Sequence, residues 1–521
     1  MPSETPTTSR HQEVERKFDV DDSTVTPSFE GIAAVARVEE SPVESLDAIY
    51  FDTPNQDLAR NKITLRRRTG GHDAGWHLKL PAGPDTRTEI HAPLAASGPE
   101  DSVPSELLDV VLAIVRDRPV RPVARITTKR ESRVLYGAEG TALAEFSNDH
   151  VIAWAAGSSE SPDSGPEQQE WREWELELIE KGGAKSGAPN ETADTELLSR
   201  LSNRLLDAGA APAGHGSKLA RVLGATVRSN GTPPNQDPVH RAVAQHVDEL
   251  LVWDRAVRAD AYDAVHQMRV TIRKIRSLLR VSQDSFGLSD DACVLNELRE
   301  LAGVLGVARD AEVLAERYEH QLDHLASELV RGPVRQRLVE GARSRYQTGL
   351  RRAQLAMRSQ RYFRLLDALD STVAEVPDAS LGEEAAPVTI DAAYKKVRKA
   401  AKAADALGQD NQEDEAERDL DEALHSIRKR AKRLRYTAAA TGENEVAKQA
   451  KGIQTLLGEH QDSVVSREHL SQQAEAAQAA GEDTFTYGLL YQREIDLAAA
   501  CREQLDDALR ELDKSVRKTQ H

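Results

Sequence analysis

The sequence predicts an α+β chain of two domains, a β-rich domain followed by an all-helical one. Three observations carry this. Up to about residue 224, short segments alternate polar and apolar residues, the period that puts successive side chains on opposite faces of a strand. A Pro/Gly/Asn-rich segment, RSNGTPPNQDP (228–238), then breaks the pattern and reads as a linker. From about 239 onward Ala, Leu, Glu and Arg recur at helical spacing to the end. The expected division is a β domain at 9–224, a linker at 225–238 and a helical domain at 239–516.

Composition bounds the function. At 521 residues the chain is long enough for two cores. Two cysteines, Cys293 and Cys501, form no disulfide framework and lack metal-ligand spacing, which favours a reducing cytoplasm. The start, MPSETPTTSR, has neither the charged end nor the apolar core of a signal peptide. No apolar run approaches the roughly 20 residues that span a bilayer, so no membrane partner is expected. The net charge of −18 argues against nonspecific nucleic-acid binding by the whole chain, but not against a locally basic site.

In chain order, the strands read as HQEVERKFDV, KITLRRR, GWHLKLP, TRTEIHAPL, ARITTKRESRVLY, TALAEFSNDHV and WREWELELIE, an antiparallel sheet or barrel. Helical segments are expected at 104–117 and 194–208, and a polar loop at 157–170. The strands share an unusual device. Glu13, Glu15 and Lys17 lie on one face of the first strand, while Val14 and Phe18 lie on the other. Arg66 and Arg68 share a face, as do His77 with Lys79 and Arg87 with Glu89; Glu173, Glu175 and Glu177 alternate with Trp174 and Leu176. One polar face is ordinary on a solvated sheet. The same mixed-charge face on strand after strand suits a barrel whose interior holds a charged, hydrated ligand. Two positions stay open: alternation fits either Lys129 or Arg130 turned inward, and Glu145 and Asp149 share one parity, so either fits as the acidic residue of that strand.

The helical half contains a degenerate repeat, about 239–375 and 388–516, split by EVPDASLGEEAAP (375–387). A second acidic stretch, GQDNQEDEAERD (408–419), reads as a solvated loop or helix start. VHQMRVTIRKIRSLLR (265–280) resembles LHSIRKRAKRLRY (424–436), and LGVARDAEV (305–313) resembles LGEHQDSVV (457–465). On a helix, His266, Arg269, Arg273, Arg276 and Arg280 fall on one stripe, and His425, Arg428, Lys432 and Arg435 on its counterpart. An apolar stripe runs one residue earlier on each: Val265, Met268, Ile272, Ile275 and Leu279, then Leu424, Ile427, Ala431 and Leu434. The apolar stripe seeks a core, leaving the cations about 100° away, at its edge. A solvated face using Arg stems to cover apolar surface is the plain alternative. Against it, neither stripe carries an acid, and stacked like charges repel unless an anion neutralises them. Aromatic residues make up 4% of the chain, too few for the stacking platforms of nucleic-acid binders, so a linear anion without bases fits better and no nucleic-acid partner is expected.

These features resemble two known families. His-x-x-Arg with a basic cluster, occurring twice and each time followed by LG-x-x-x-D, resembles the CHAD (conserved histidine α-helical) domain over about 239–515. The resemblance implies a repeated helical fold that binds inorganic polyphosphate through its basic surface, with His266 and His425 heading the stripes. The Glu-x-Glu-x-Lys start and the ordered charged strands are similar to the CYTH superfamily of triphosphate tunnel metalloenzymes over about 11–224. That resemblance implies an eight-stranded antiparallel tunnel binding a triphosphate with a divalent metal, Mg²⁺ or Mn²⁺. It assigns Glu13, Glu15, Glu173, Glu175 and Glu177 to the metal, and Lys17, Arg66, Arg68, Lys79, Arg87, Arg130 and Lys218 to phosphate; it also favours Arg130 over Lys129, and Glu89 fits the pattern. The implied activity is metal-dependent triphosphate hydrolysis beside polyphosphate binding, in the cytoplasm or at polyphosphate granules. The alternatives are a noncatalytic polyphosphate-binding protein and an adenylate-cyclase use of the barrel.

Overall fold

A computed structural model of the chain describes residues 8–94, 102–155, 168–179, 191–224, 238–281, 283, 286, 293–374, 389–407 and 414–519. Most of the expected 157–170 loop, 225–237 of the linker, 375–387 and the start of the 408–419 stretch lie outside these residues. The β-rich part contains β1 (Ser9–Val20), β2 (Arg37–Glu40), β3 (Glu44–Asp52), β4 (Thr64–Thr69), β5 (Gly75–Pro81) and β6 (Thr86–Ala92). It continues with β7 (Arg121–Tyr136), β8 (Ala142–Ala155), β9 (Gln168–Leu178) and the short β10 (Ala211–Pro212). Hydrogen-bonded neighbours follow the order β1, β6, β5, β4, β3, β7, β8, β9, and β9 pairs back onto β1, closing an eight-stranded antiparallel barrel. Short β2 pairs β7 and β10 pairs β1 outside this ring.

Closure turns the alternation into an inside and an outside. The outward apolar residues Phe18, Phe146, Trp174 and Leu176 pack under Leu198, Leu201 and Leu205 of α4 (Glu191–Asp207). Leu65, Trp76 and Leu78 pack with Leu107, Val111 and Ile114 from the pair α2 (Ser105–Val110) and α3 (Leu112–Val115); α1 (Asp57–Arg60) adds Leu58. The interior is charged along most of its length and apolar at one end. There Ala48, Tyr50, Ile126, Val151 and Trp171 receive Leu219, Val222 and Leu223 of α5 (Lys218–Leu223). Ser217 caps α5 by accepting from the Ala220 N–H at 3.1 Å, and Lys218, its first residue, is thereby buried against the barrel interior.

The helical part consists of α6 (Pro238–Arg258), α7 (Ala264–Val281), α8 (Cys293–Asp323), α9 (Gly341–Ala356), α10 (Gln360–Ala374), α11 (Ile390–Leu407), α12 (Asp414–Ala440), α13 (Asn444–Ala479) and α14 (Phe485–Lys518). By internal contacts the chain forms two compact units, Met1–Leu278 with Ala356–Val376, and Leu279–Leu355 with Pro377–His521. The first therefore holds the barrel together with α6, most of α7 and α10. Leu251 of α6 packs on the α2–α3 cluster, Arg258 reaches Asp109 at 3.4 Å, and buried Arg116 pairs with Asp367 and Asp370 of α10. Asp254, fully buried, accepts from Arg258 at 2.6 Å and from the Tyr362 hydroxyl at 2.8 Å.

In the second unit, Leu424, Ile427, Ala431 and Leu434 of α12 are buried against α11, α13 and α14, so the apolar stripe faces the core as its spacing requires. A second cluster joins Tyr318 and Leu322 of α8 to Leu470 and Tyr487. Beside it, Arg345 donates to His469 Nε2 at 2.6 Å, leaving the ring proton on Nδ1, which lies 2.8 Å from the Tyr318 hydroxyl. Burial first, then Arg345, pushes this imidazole down to about 4. The unfolded chain takes up the proton near 6.5 and the folded chain only near 4, so this stabilisation is complete above pH 6.5 and lost as pH falls toward 4. Denaturant unfolding at pH 7.5 and 5 should thus show a steeper acid loss for the wild type than for His469→Phe; equal losses would remove His469 from the account. No helix among the described residues is long and apolar enough to cross a membrane.

Candidate functional site

Strand register decides which charges meet inside the barrel. Directly opposed residues share a face, and the pairs His11–Glu89, Glu15–Glu177, Lys17–Glu175, Arg66–His77, Lys79–Glu89, Arg130–Asp149 and Asp149–Glu173 all fall on the inner one. They surround a cavity of about 410 Å³ whose lining includes Glu13, Glu15, Lys17, Arg66, Arg68, Lys79, Arg87, Glu89, Arg130, Glu145, Glu175, Glu177 and Lys218. The two open positions resolve as follows. Arg130 lines the cavity and Lys129 is exposed; Glu145 lines the cavity and Asp149 lies fully buried behind Arg130.

Each lysine of the lining is held by carboxylates. Lys17 donates to Glu15 at 2.7 Å and to Glu175. Lys218 sits among Asp149, Glu173 and Glu175 at 2.9, 2.7 and 2.7 Å. Lys79 lies 2.7 Å from Glu13, Arg87 lies 3.2 Å from Glu15, and Arg130 bridges Asp149 and Glu175. Arg66 reaches the Tyr50 hydroxyl at 3.3 Å, and Arg68 pairs with Asp73. Burial opposes ionisation of Glu15, but Lys17 and Lys79 outweigh it and hold this carboxyl down at about 2. Glu175 is likewise held far down by Lys17, Lys218 and Arg130 against its burial. Glu177 differs: burial, opposed by Lys79 and reinforced by Glu13, Glu15 and Glu175, pushes it up to about 7.

This arrangement has a chemical consequence. Any multivalent anion that entered the cavity would recruit its lysines and arginines, and each one taken would leave a buried carboxylate unpaired. An unpaired buried charge is strongly destabilising. A hard divalent cation bound by oxygen restores the balance, and the donors present suit one: Asp149, Glu173 and Glu175 bring carboxylate oxygens within 4.8 Å of one another, with the Lys218 ammonium among them.

The helical cations separate into two sets. On α7, His266, Arg269 and Arg276 are half-buried while Arg273 and Arg280 are exposed; the first four belong to the first unit, and Arg280 falls beyond its boundary. On α12 the stripe turns toward α13. Arg428 lies against Gly458, where an added Cβ would sit 3.3 Å from Nη2, and Arg435 donates to Gln454 at 3.0 Å. Burial raises Asp462, and Arg428 opposes it. The LG-x-x-x-D segment of the second copy thus has a physical account: its glycine leaves room for the Arg428 guanidinium and its aspartate faces that charge. His425 and Lys432 are half-buried on the same face. Off the stripe, Lys396 of α11 and Ser426, Lys429, Arg430 and Arg433 of α12 line a cavity of about 330 Å³ with no carboxylate in its described lining.

Sequence reasoning passed over His11, Tyr50 and His91, which also line the barrel. His11 was within reach, because it shares the parity of Glu13, Glu15 and Lys17. Tyr50 becomes visible only with the β3–β4 register, which sets it opposite Arg66.

Comparison with known proteins agrees with both halves. The CYTH domain model matches residues 11–185 and the CHAD domain model residues 241–471. Uncharacterized protein MT2285 of Mycobacterium tuberculosis (strain CDC 1551 / Oshkosh) and Uncharacterized protein Rv2226 of Mycobacterium tuberculosis (strain ATCC 25618 / H37Rv) are each 70% identical over 524 residues, 99% of either chain. Among solved structures, PptA from Streptomyces chartreusis is 20% identical and covers 52% of this chain and 98% of its own, with a TM-score of 0.42. The CHAD domain from the plant Ricinus communis is also 20% identical, covers 55% and 95%, and has a TM-score of 0.39.

Proposed function

Because the chain belongs to the family of proteins that join a CYTH domain to a CHAD domain, we propose that its barrel hydrolyses inorganic triphosphate or a related triphosphate with a divalent cation, and that its helices bind inorganic polyphosphate. The observation that carries the hydrolytic reading is the lysine–carboxylate lattice inside the barrel. Phosphoryl transfer needs charge neutralisation and alignment more than covalent chemistry. Lys17, Lys79, Arg66, Arg68, Arg87 and Arg130 would take the nonbridging oxygens, and Asp149, Glu173 and Glu175, freed of Lys218, would hold the metal. When bound, Mg²⁺ or Mn²⁺ supplies charge neutralisation at phosphate and a more acidic water. The α5 stopper limits access from one end, which favours a short linear anion over an internal stretch of a long one.

Polyphosphate binding rests on α12, where the cavity shared with α11 gathers four cations without a described acid. A phosphate-release assay with tripolyphosphate, ATP and thiamine triphosphate, each with Mg²⁺ and Mn²⁺, tests the barrel. Phosphate release in the presence of metal, abolished by a chelator, is the expected result. Cyclic AMP from ATP would establish the cyclase alternative, and no turnover of any substrate would leave a binding protein.

A further inference from the structure

We propose that the β4–β5 turn, residues 70–74, is a lid on the open end of the barrel, with Asp73 as its latch. In the resting chain the Asp73 carboxylate holds Arg68 where a phosphate would bind, and an entering triphosphate displaces it. This rests on the reading of the barrel as a triphosphate site and adds to it the step that admits the anion.

Strand register places the turn. α5 follows β10, which pairs with Phe18 and Asp19 near the far end of β1. His77 of β5 stands opposite His91 of β6, and His91 stands opposite Ser9, the first residue of β1. The turn just before β5 therefore lies at the end of the barrel away from the α5 stopper, the end left for an entering anion. There Gly70, Gly71, His72 and Ala74 are exposed, while Asp73 is half-buried and lines the cavity with Arg68. Three contacts hold the tip down. Asp73 pairs with Arg68, the Asp73 carbonyl lies 3.0 Å from His77 Nε2, and His72 Nδ1 lies 3.3 Å from Glu44.

The latch differs from the other carboxylates of the lattice. Glu13, Glu15, Asp149 and Glu175 stand on strands, with side chains at most 11% exposed. The Asp73 side chain is 36% exposed on a turn, so it regains its hydration when it lets go. Arg68 has no such exit. Its side chain is 7% exposed, and burial first, then Arg66 and Arg130, work against its charge, so it requires an anion. Asp73 fills that role incompletely, because it pairs with Nη2 while the buried Nε–H makes no hydrogen bond. A phosphate offers two oxygens to the same edge, the bidentate match that favours guanidinium with phosphate. The turn is also built to move. Gly70 and Gly71 enter it at φ of 80° and 73°, and Gly75 leaves it, so the tip is bracketed by the residues that absorb backbone change most readily.

A double-mutant cycle tests the latch, read by calorimetry of tripolyphosphate binding to the full-length chain in chelator, where nothing turns over. Asp73→Asn keeps the side chain's size and removes its charge; it lies on an exposed turn, so folding should survive, and circular dichroism checks it. Tripolyphosphate affinity is expected to rise about 5-fold or more, since a charge-assisted hydrogen bond no longer competes for Arg68. In an Arg68→Gln background the same substitution should raise it less than about 2-fold, because the latch has nothing left to hold. Unchanged or weaker binding by Asp73→Asn overturns the latch. An equal gain in both backgrounds also overturns it, since that is the effect of one negative charge fewer at the mouth. No binding by wild type or Asp73→Asn overturns it as well, whatever the chain hydrolyses with metal. A latch effect in a chain that releases no phosphate once Mg²⁺ or Mn²⁺ is added would keep the lid and overturn the hydrolytic reading. Hydrolysis without a latch effect would do the reverse.

Discussion

Glu15→Gln should lower metal-dependent triphosphate turnover by ~10²-fold or more, the loss expected when a preorganised charge-stabilising group is removed. Glu15 is ionised at every physiological pH and aligns two cations at once, with Lys17 at 2.7 Å on one oxygen and Arg87 at 3.2 Å on the other. Glutamine keeps the volume but has one acceptor oxygen and presents an NH₂ to the other cation. Lys17 retains Glu175, and the outward neighbours Val14 and Phe18 keep their packing, so the barrel should still fold. Glu13→Gln should act in the same direction. Turnover within ~3-fold of wild type in the double variant, measured on protein with an unchanged circular dichroism spectrum, would remove the barrel from the chemistry.

The second large effect is expected on α12. Binding of a linear polyanion releases counterions, so affinity falls steeply with salt in proportion to the contacts made, with a slope near 0.7 per phosphate neutralised on a single strand. The stripe set Arg428, Lys432 and Arg435 is the one sequence spacing favours, yet Arg428 and Arg435 are engaged by α13. Lys429, Arg430 and Arg433 line the cavity with Lys396. Replacing Lys429, Arg430 and Arg433 by Gln should therefore reduce both polyphosphate affinity and the salt slope, the slope by about 2. The stripe triple variant should lose stability as well as affinity, because Arg428 faces Asp462 and fills the space beside Gly458. Equal losses from both, with unchanged stability, would mean a diffuse basic surface. No loss from either would make α12 a solvated helix face.

Much of the barrel was legible because its inversion leaves a mark in single strands. Alternation gives parity, and when Glu13, Glu15 and Lys17 take one parity while Val14 and Phe18 take the other, an interior that is charged follows from the need to bury the apolar set. The strand order was not legible, since β1 pairs β6 and β9 through contacts far apart in sequence, and with it went the cross-strand pairs that set Tyr50 against Arg66 and His11 against Glu89. Nor did alternation settle Lys129 against Arg130; the register with β8, which pairs Arg130 with Asp149, does so. The α5 stopper was not legible: the resemblance points to Lys218, but nothing local in GSKLARVL says that Leu219 and Val222 enter the barrel's apolar end. On α12 the periodicity correctly places the apolar face, which depends on local spacing alone. It does not tell which of the neighbouring cations a packed helix will engage, because that depends on Gly458 of α13, over twenty residues away.

The central claim is that the barrel's internal lysine–carboxylate lattice is a resting arrangement for a triphosphate and a metal. Phosphorus NMR of tripolyphosphate incubated with the full-length chain tests it most directly, because it follows substrate and products together. With Mg²⁺ or Mn²⁺ the triphosphate signals should give way to equal amounts of pyrophosphate and phosphate, and a chelator should stop the change. Unaltered tripolyphosphate in both metals, with no line broadening from bound anion, would contradict the claim.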